Sequence, residues 1–219
     1  MIGGAARDPV TDHLLTPQNA VLTVIDYQPS QVSGVRSMDR EALVENILCV
    51  ARIAMTFHLP LVLSTVNVAH GQLPTLPELK ALLPDSVEID RTQINPWENL
   101  EFRAAVVAAG RKKLVMTALW TEVCLALAAL DAMRDGFEVY PIVDAVAGTS
   151  AQAHHTALDR MVQAGAQPIT WISLALELQR DWARTETVAD LVDIALTTRL
   201  PNPAGTKTSP ATGGGRPCN

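Results

Sequence analysis

Basic clusters and long apolar runs are scarce in this chain, and their scarcity narrows its possible partners. The 219 residues carry 17 Lys and Arg against 23 Asp and Glu, for a net charge of −6, and no basic run exceeds Arg111-Lys112-Lys113. Such a chain lacks the positive patch that binds nucleic acids or anionic membranes. No apolar run approaches the ~18 residues of a membrane span, and residues 1–8 lack a signal-peptide pattern. We therefore expect a soluble, cytoplasmic protein whose partner is a small molecule, with no nucleic acid and no membrane.

Cysteines and cofactor-binding motifs are also rare. The three cysteines, Cys49, Cys124 and Cys218, are odd in number and widely separated, so they form neither a disulfide framework nor a paired set of zinc ligands. The sequence contains no G-x-G-x-x-G and no P-loop, and its His, Asp and Glu residues lack the spacing of a metal site. The sequence predicts reduced thiols, no metal and no cofactor.

The chain does contain a repeated alternation of apolar, β-branched runs with segments of helical spacing. Alternation of this kind predicts crossover connections and a mostly parallel sheet. Glycines at 110, 136 and 165 each follow a helical pattern and precede a strand, which is the position of a left-handed helix cap. The six predicted strands are 20–27, 61–66, 87–91, 113–119, 137–146 and 166–171.

Length and composition predict a single domain with a tail. A chain of this length with 48% hydrophobic residues suits one well-buried α/β domain. Within it, segment 39–57 has an apolar stripe typical of a helix that lies against a sheet. After Leu200 the sequence becomes rich in Pro, Gly and Thr. We predict a domain over 1–199 and a disordered tail over 200–219 that carries Cys218.

Cys124 is the most informative residue. It follows the apolar run 114–119 through Trp120-Thr121-Glu122-Val123, which predicts a strand that turns into a helix with the thiol in its first turn. Unpaired N–H groups and the helix dipole at that position lower a thiol pKa from about 8.5 to roughly 3.5–7.5. Cys124 is therefore a candidate nucleophile. The alternative is that it packs as a small hydrophobic residue, as free cysteines commonly do.

Two charged residues also stand at predicted strand ends. Asp26 ends the first strand and Arg91 ends the third. Taken singly, Asp26 fits a turn residue and Arg91 a surface charge. Because ligands bind beyond the carboxyl ends of parallel strands, an acid, a cation and a thiol there also fit covalent catalysis on a carbonyl group.

These segments resemble the isochorismatase-like cysteine hydrolases and, within them, the YcaC-type branch. The resemblance covers about residues 20–184 and rests on several motifs in the same order along the chain. The matching segments are 24–28, 90–99, 121–124, 143–145, 159–166 and 177–182.

The resemblance implies both a fold and a site. The fold is a doubly wound α/β/α domain with a mostly parallel, six-stranded sheet. The site is a catalytic triad of Asp26, Arg91 and Cys124. The resemblance also implies a cis peptide bond near Trp120-Thr121 and an oxyanion site formed by the backbone N–H groups of Thr121 and Cys124.

Three local features bear on the chemistry that the resemblance implies. Arg91 stands where amidase members carry lysine, and a guanidinium does not exchange protons near neutral pH, so proton transfer falls to Asp26. Ala118 and Trp120 replace smaller residues, and we expect the indole to shape the substrate pocket. Segment 64–70 lacks the D-x-H motif of the metal-binding members, so no metal is implied.

We interpret the chain as a metal-independent hydrolase that cleaves a small amide or a similar C–N substrate through an acyl-enzyme on Cys124. Gln28, Asn95 and Trp97 are candidate substrate contacts. Two alternatives stay open: vinyl-ether hydrolysis of the isochorismate type, and a non-catalytic or redox-sensing protein with a reactive thiol.

The resemblance also bears on assembly. The YcaC-type branch forms large assemblies, which implies a homo-oligomer, a tetramer or an octamer. We expect Trp171, Trp182 and the helix between them to contribute to an interface.

Overall fold

This computed structural model describes residues 7–199, except for the side chains of residues 197–199. In this part of the chain, a parallel sheet lies between two layers of helices. The predicted tail, with Cys218, lies outside the described residues. The strands are β1 (Ala20–Ile25), β2 (Leu61–Val66), β3 (Glu88–Arg91), β4 (Lys113–Ala118) and β5 (Glu138–Pro141). The helices are α1 (Pro29–Gly34), α2 (Arg40–Thr56), α3 (Pro77–Leu82), α4 (Leu100–Ala108), α5 (Ala126–Arg134), α6 (Ala151–Gln163), α7 (Trp171–Gln179) and α8 (Thr185–Arg199).

The sheet order places β1 at the centre. The order is β3-β2-β1-β4-β5, and every neighbouring pair is parallel. The chain therefore builds outward from β1 in one direction through β2 and β3, and then crosses to the other side for β4 and β5. The change of direction falls between β1 and β4, and a crevice for ligands opens at such a point beyond the carboxyl ends of the strands.

The predicted sixth strand is absent from residues 7–199, and the prediction of six strands was wrong. Segment 166–171 contributes one parallel bridge between Ile169 and Ile142. The N–H groups of Gln167 and Ile169 donate to Val139 O and Pro141 O, both at 2.9 Å, and Thr170 then caps α7 by accepting a hydrogen bond from the backbone of Ser173. The start of α7 therefore ends the pairing with the β5 chain after Ile169, which leaves the doubly wound α/β/α fold with five strands.

Two apolar cores cover the two faces of the sheet. One joins β1 and β2 to α2, α3, α7 and α8, and the other joins β1 and β4 to α4, α5 and α6. The predicted helix over 39–57 is confirmed as α2, with Asp39 as its N-cap. Its predicted stripe is buried at every position, and Cys49 packs beside it. The stripe is Leu43, Ile47, Val50, Ala51 and Ala54.

Helix ends follow the glycine pattern of the sequence. Gly110, Gly136 and Gly165 have φ of 64°, 89° and 109°, a left-handed conformation that glycine adopts without steric strain. Each one ends a helix and turns the chain back toward the sheet. Among the described residues, no helix combines the length and the apolar character needed to cross a bilayer.

Candidate active site

Three residues from different strand ends meet at the crevice. Asp26 directly follows β1, Arg91 is the last residue of β3, and Cys124 follows β4 within a π-helical turn, Thr121–Leu125. Nη2 of Arg91 donates a hydrogen bond to Oδ2 of Asp26, and the side chains of both are fully buried. The Cys124 thiol, in a residue that is 8% exposed, interacts with both charged groups. The three residues singled out in the sequence thus form one cluster.

Asp26 is oriented by an unusual backbone conformation. Its φ of 61° is left-handed, a region that aspartate tolerates better than most residues. Its backbone N–H still donates to Ser64 O at 2.9 Å and continues the pairing of β1 with β2. Oδ1 of Asp26 has no hydrogen-bond partner within residues 7–199. The site therefore contains a buried carboxylate oxygen with an unused acceptor position.

Arg91 reaches Asp26 across the end of an intervening strand. Because β2 separates β3 from β1, the two backbones lie about two strand spacings apart, roughly 10 Å. The long arginine side chain spans that distance. Its Nη1 also donates to the backbone oxygens of Gln93 and Ile94, the latter at 3.4 Å. Arg91 therefore ties the carboxylate of Asp26 to the loop after β3.

The pKa values of Cys124 and Asp26 place the thiol proton on the sulfur of Cys124 and not on the carboxylate of Asp26. Burial raises the pKa of Asp26 to about 6, although the charge of Arg91 and the interaction with the Cys124 thiol oppose that rise. Burial also raises the pKa of Cys124 to about 12, together with the negative charge of Asp26 and against the positive charge of Arg91. Near pH 7 the site holds an ionised Asp26 beside a neutral thiol.

The expected lowering of the thiol pKa was therefore wrong. The sulfur lies in the π-helical turn before α5, where desolvation and Asp26 outweigh the favourable helix terminus and Arg91. Activation of Cys124 then requires a base at the moment of attack.

In the turn before Cys124, the cis peptide bond and the available amide lie at other residues than expected. The cis peptide bond joins Leu119 to Trp120, one residue earlier than Trp120-Thr121. The backbone N–H of Thr121 donates to Ala147 O at 2.9 Å and is unavailable to a substrate oxygen. In contrast, the N–H of Trp120 has no backbone or side-chain acceptor in the described part of the chain. The available amide is therefore that of Trp120 and not that of Thr121.

A contact between Thr121 and His154 was missed in the sequence. Oγ1 of the buried Thr121 lies 2.8 Å from Nδ1 of His154 on α6. Burial lowers the pKa of His154, and the nearby His155 lowers it further, against the effect of Glu122. No sequence spacing indicates the hydrogen bond of His154 to the turn.

The candidate substrate contacts have their polar groups engaged within the fold. The buried Gln28 side chain donates to Val66 O and Leu73 O at 3.1 and 2.7 Å and accepts from Val66 N at 2.8 Å. Asn95 donates to Asp131 at 2.7 Å, and the indole of Trp97 donates to Asp135 at 2.7 Å.

These hydrogen bonds give the three candidate residues structural roles. Gln28 fastens the end of β1 to the loop beyond β2. Asn95 and Trp97 fasten the loop after β3 to α5 and the turn that follows it.

The two tryptophans that were expected to contribute to an interface differ in burial. Trp171 is 4% exposed and belongs to the core, whereas Trp182 is 63% exposed. Of the two, only Trp182 has an exposed side chain. Over the described range, no group of three or more His, Cys, Asp and Glu side chains is placed to hold a metal ion.

Comparison with known proteins places these features in a family. The isochorismatase domain model matches residues 20–173. The probable hydrolase YcaC of Escherichia coli K12 is 39% identical over 169 residues, which is 77% of this chain and 81% of the relative.

Two solved YcaC structures share the fold closely. YcaC from Pseudomonas aeruginosa, with hexane-2,5-diol and covalent acrylamide, is 34% identical with a TM-score of 0.81, over 89% of this chain and 96% of that one. E. coli YcaC, described as an octameric hydrolase of unknown specificity, is 35% identical with a TM-score of 0.77, over 85% and 96% of the two chains.

Proposed function

The chain belongs to the isochorismatase family, in its YcaC-type branch, and we propose that it is a metal-independent cysteine hydrolase that cleaves the C–N bond of a small amide. The observation that carries this proposal is the buried cluster in which the Asp26 carboxylate, paired with Arg91, interacts with the Cys124 thiol. A carboxylate with a pKa of about 6 is deprotonated near neutral pH and suits the role of a general base.

Acylation begins with attack of the Cys124 sulfur on the amide carbonyl carbon. The S–C bond forms, the carbonyl π electrons move to oxygen, and the thiol proton passes to the Asp26 carboxylate. Because the two pKa values keep the resting proton on sulfur, its transfer accompanies bond formation. The tetrahedral intermediate then collapses, the C–N bond breaks, and Asp26 returns the proton to the departing amine. Arg91 holds the carboxylate in place throughout.

Deacylation uses the same base. Water attacks the thioester carbon and gives its proton to Asp26, the C–S bond breaks, and the proton returns to sulfur. The products are a carboxylic acid and an amine, and the thiol and carboxylate are restored. Each proton that Asp26 accepts is released within the same half-reaction, so no metal or cofactor enters the balance.

The oxyanion of both tetrahedral intermediates needs hydrogen-bond donors in the same turn. We assign this role to the backbone N–H groups of Trp120 and Cys124. The absence of an acceptor for the Trp120 amide among residues 7–199 supports the assignment, and Thr121 is excluded because its N–H is already bonded to Ala147. Donors fixed at such a position stabilise the charge that develops in the transition state.

The Pseudomonas relative adds chemical support. Its structure contains covalent acrylamide, a small primary amide that thiols attack at its alkene carbon. A reactive group that accepts this reagent is consistent with a compact pocket for an amide beside a nucleophilic sulfur. We carry that chemistry to Cys124 of this chain as part of the proposal.

The test is a screen of small primary amides for ammonia release. Wild type and Cys49→Ala are expected to release ammonia from the same amides, and Cys124→Ala is expected to release none above background. Cys49→Ala is the matched control because it also removes a buried thiol, but one that packs on α2 away from the strand ends. Turnover in Cys124→Ala close to that of wild type contradicts the mechanism.

A redox-sensing role has less support. Sensor thiols react as exposed thiolates, whereas Cys124 is buried and its pKa is raised to about 12. These properties favour a thiol that is deprotonated only when a substrate occupies the site.

We also propose that the chain assembles into a homo-oligomer. The E. coli relative is described as octameric, and the exposed Trp182 is available to such an interface. Sedimentation velocity of the full chain is expected to show a tetramer or an octamer, and a monomer at every concentration contradicts the proposal.

A further inference from the structure

The indole of Trp120 is fixed against α1 by two contacts. Its Nε1 donates a hydrogen bond to the backbone oxygen of Gln31 at 2.8 Å. A Cβ added at Gly34 would lie 2.5 Å from Cζ2 of the ring and 3.0 Å from Cε2. Real Cβ atoms do not approach that closely, so this rotamer of Trp120 requires glycine at position 34. The ring therefore occupies the space that a larger residue at position 34 would fill.

These contacts link the two halves of the catalytic cluster. Trp120 opens the turn that carries Cys124, and α1 begins at Pro29, three residues after Asp26. The indole thus bridges the chain beyond β4 and the chain beyond β1, on the edge of the sheet where the crevice opens. Trp120 therefore stands at the edge of the crevice.

The indole of Trp120 is fixed in place, and its free surface is apolar. The only polar atom of the indole is already bonded to Gln31, and the ring edge that carries Cζ2, Cε2 and Nε1 faces Gly34, so the ring cannot rotate without losing both contacts. The residue as a whole is half-buried. A partly exposed hydrocarbon surface that cannot move excludes large groups more strictly than a flexible side chain does.

We propose that Trp120, fixed by Gln31 and Gly34, is a specificity-determining residue that limits the size of the group bound beside Cys124. The site then accepts compact primary amides and excludes amides that carry an aryl or a branched substituent. The proposal rests on the proposed function, because it needs Cys124 to be the nucleophile. It goes further by naming the substrate class and the residue that selects it.

The experiment compares two electrophiles of one chemistry and different size. Acrylamide and N-benzylacrylamide both alkylate thiols, and the rate of each at Cys124 is measured by peptide mass spectrometry. Each rate is divided by that of the same reagent with free N-acetylcysteine, which removes the difference in intrinsic reactivity. Trp120→Ala is the test variant, and Val162→Ala, an exposed apolar position on α6, is the matched control.

Wild type and Val162→Ala are expected to react with acrylamide and to discriminate against N-benzylacrylamide. In Trp120→Ala the normalised rate with N-benzylacrylamide rises by about tenfold or more relative to the normalised rate with acrylamide, as expected when a steric block is removed. Trp120→Leu serves the same purpose if the alanine variant fails to fold. Equal discrimination in wild type and in the folded Trp120 variant overturns the proposal.

The two possible failures are distinct. If Cys124 reacts readily with acrylamide but the Trp120 variant keeps the discrimination of wild type, the size limit is wrong and the nucleophile stands. If Cys124 reacts with neither reagent in any variant, the proposed function fails and the size limit fails with it.

A double-mutant cycle tests the contact that fixes the ring. Gly34→Ala is expected to lower the melting temperature in wild type, because the new Cβ meets the indole, and to lower it much less in Trp120→Leu. Additive effects of the two substitutions overturn the claim that Gly34 and Trp120 form one unit.

Discussion

Arg91 and Asp26 form an ion pair in which neither side chain has any exposed surface. The two residues lie 65 positions apart in the sequence and meet across the end of β2. Burial of a charge is tolerated when a partner of opposite charge and further hydrogen bonds accompany it. The pair therefore supports the fold and also holds the carboxylate that the mechanism needs.

Removing the guanidinium is expected to destabilise the protein. Arg91→Met leaves the Asp26 carboxylate buried and unpaired, so the free energy of unfolding in urea falls by roughly 3–5 kcal/mol. Arg91→Lys is expected to lose less, because an ammonium group still pairs with Asp26. The control is Arg103→Met, since Arg103 pairs with Asp135 at 2.8 Å on the surface and such pairs contribute about 0–1 kcal/mol. A similar small loss in Arg91→Met and Arg103→Met contradicts the account.

Gln28 is expected to act on stability and not on substrate binding. The hydrogen bonds of its side chain go to the backbone of Val66 and Leu73, and their loss in Gln28→Ala leaves buried groups unpaired, at a cost of about 1–3 kcal/mol. Gln163→Ala, at an exposed site on α6, is the control and is expected to change little. Urea unfolding measures the first effect, and acrylamide labelling of Cys124 in the folded variant measures the second. Slow labelling at unchanged stability assigns Gln28 to the substrate instead.

The hydroxyl of Thr121 is expected to keep the turn before Cys124 in place. Thr121→Val preserves the side-chain shape but removes the 2.8 Å hydrogen bond with His154, so the free energy of unfolding falls by about 1 kcal/mol. Because Trp120 and Cys124 flank this turn, labelling of Cys124 by acrylamide is also expected to slow. Thr156→Val, an exposed threonine on α6, is the control. Labelling at the wild-type rate in Thr121→Val shows that the contact is structural only.

The framework of the fold was predictable from local sequence patterns. The run at 61–66 coincides with β2, and the stripe of α2 and the glycine caps also follow the patterns. The prediction of a sixth strand failed because the cap of α7 at Thr170 ends the pairing of segment 166–171 with the β5 chain, and a hydropathy pattern does not report such a cap. Periodicity indicates which face is apolar, and it leaves open how far a ladder of hydrogen bonds extends.

The clustering of three candidate residues was predictable, and the electrostatics of the cluster was not. Strand ends identified Asp26, Arg91 and Cys124, because the carboxyl ends of parallel strands share one edge. The direction of the thiol pKa depends on burial and on the distance to Asp26, and neither is visible in a sequence. The free amide of Trp120 and the contact of Thr121 with His154 depend on backbone geometry in the same way.

The most direct test of the central claim is the pH dependence of acrylamide labelling at Cys124, resolved by peptide mass spectrometry, in wild type and Asp26→Asn. In wild type the rate is expected to rise with an inflection near pH 6, as Asp26 loses its proton and becomes a base, and then to level off. Asp26→Asn is expected to lose this inflection and to react about a hundredfold more slowly near neutral pH, the usual size of a general-base effect. The account is contradicted if both proteins label at the same rate, or if the wild-type rate has no inflection and simply follows the thiolate fraction, with an increase of about tenfold per pH unit into the alkaline range.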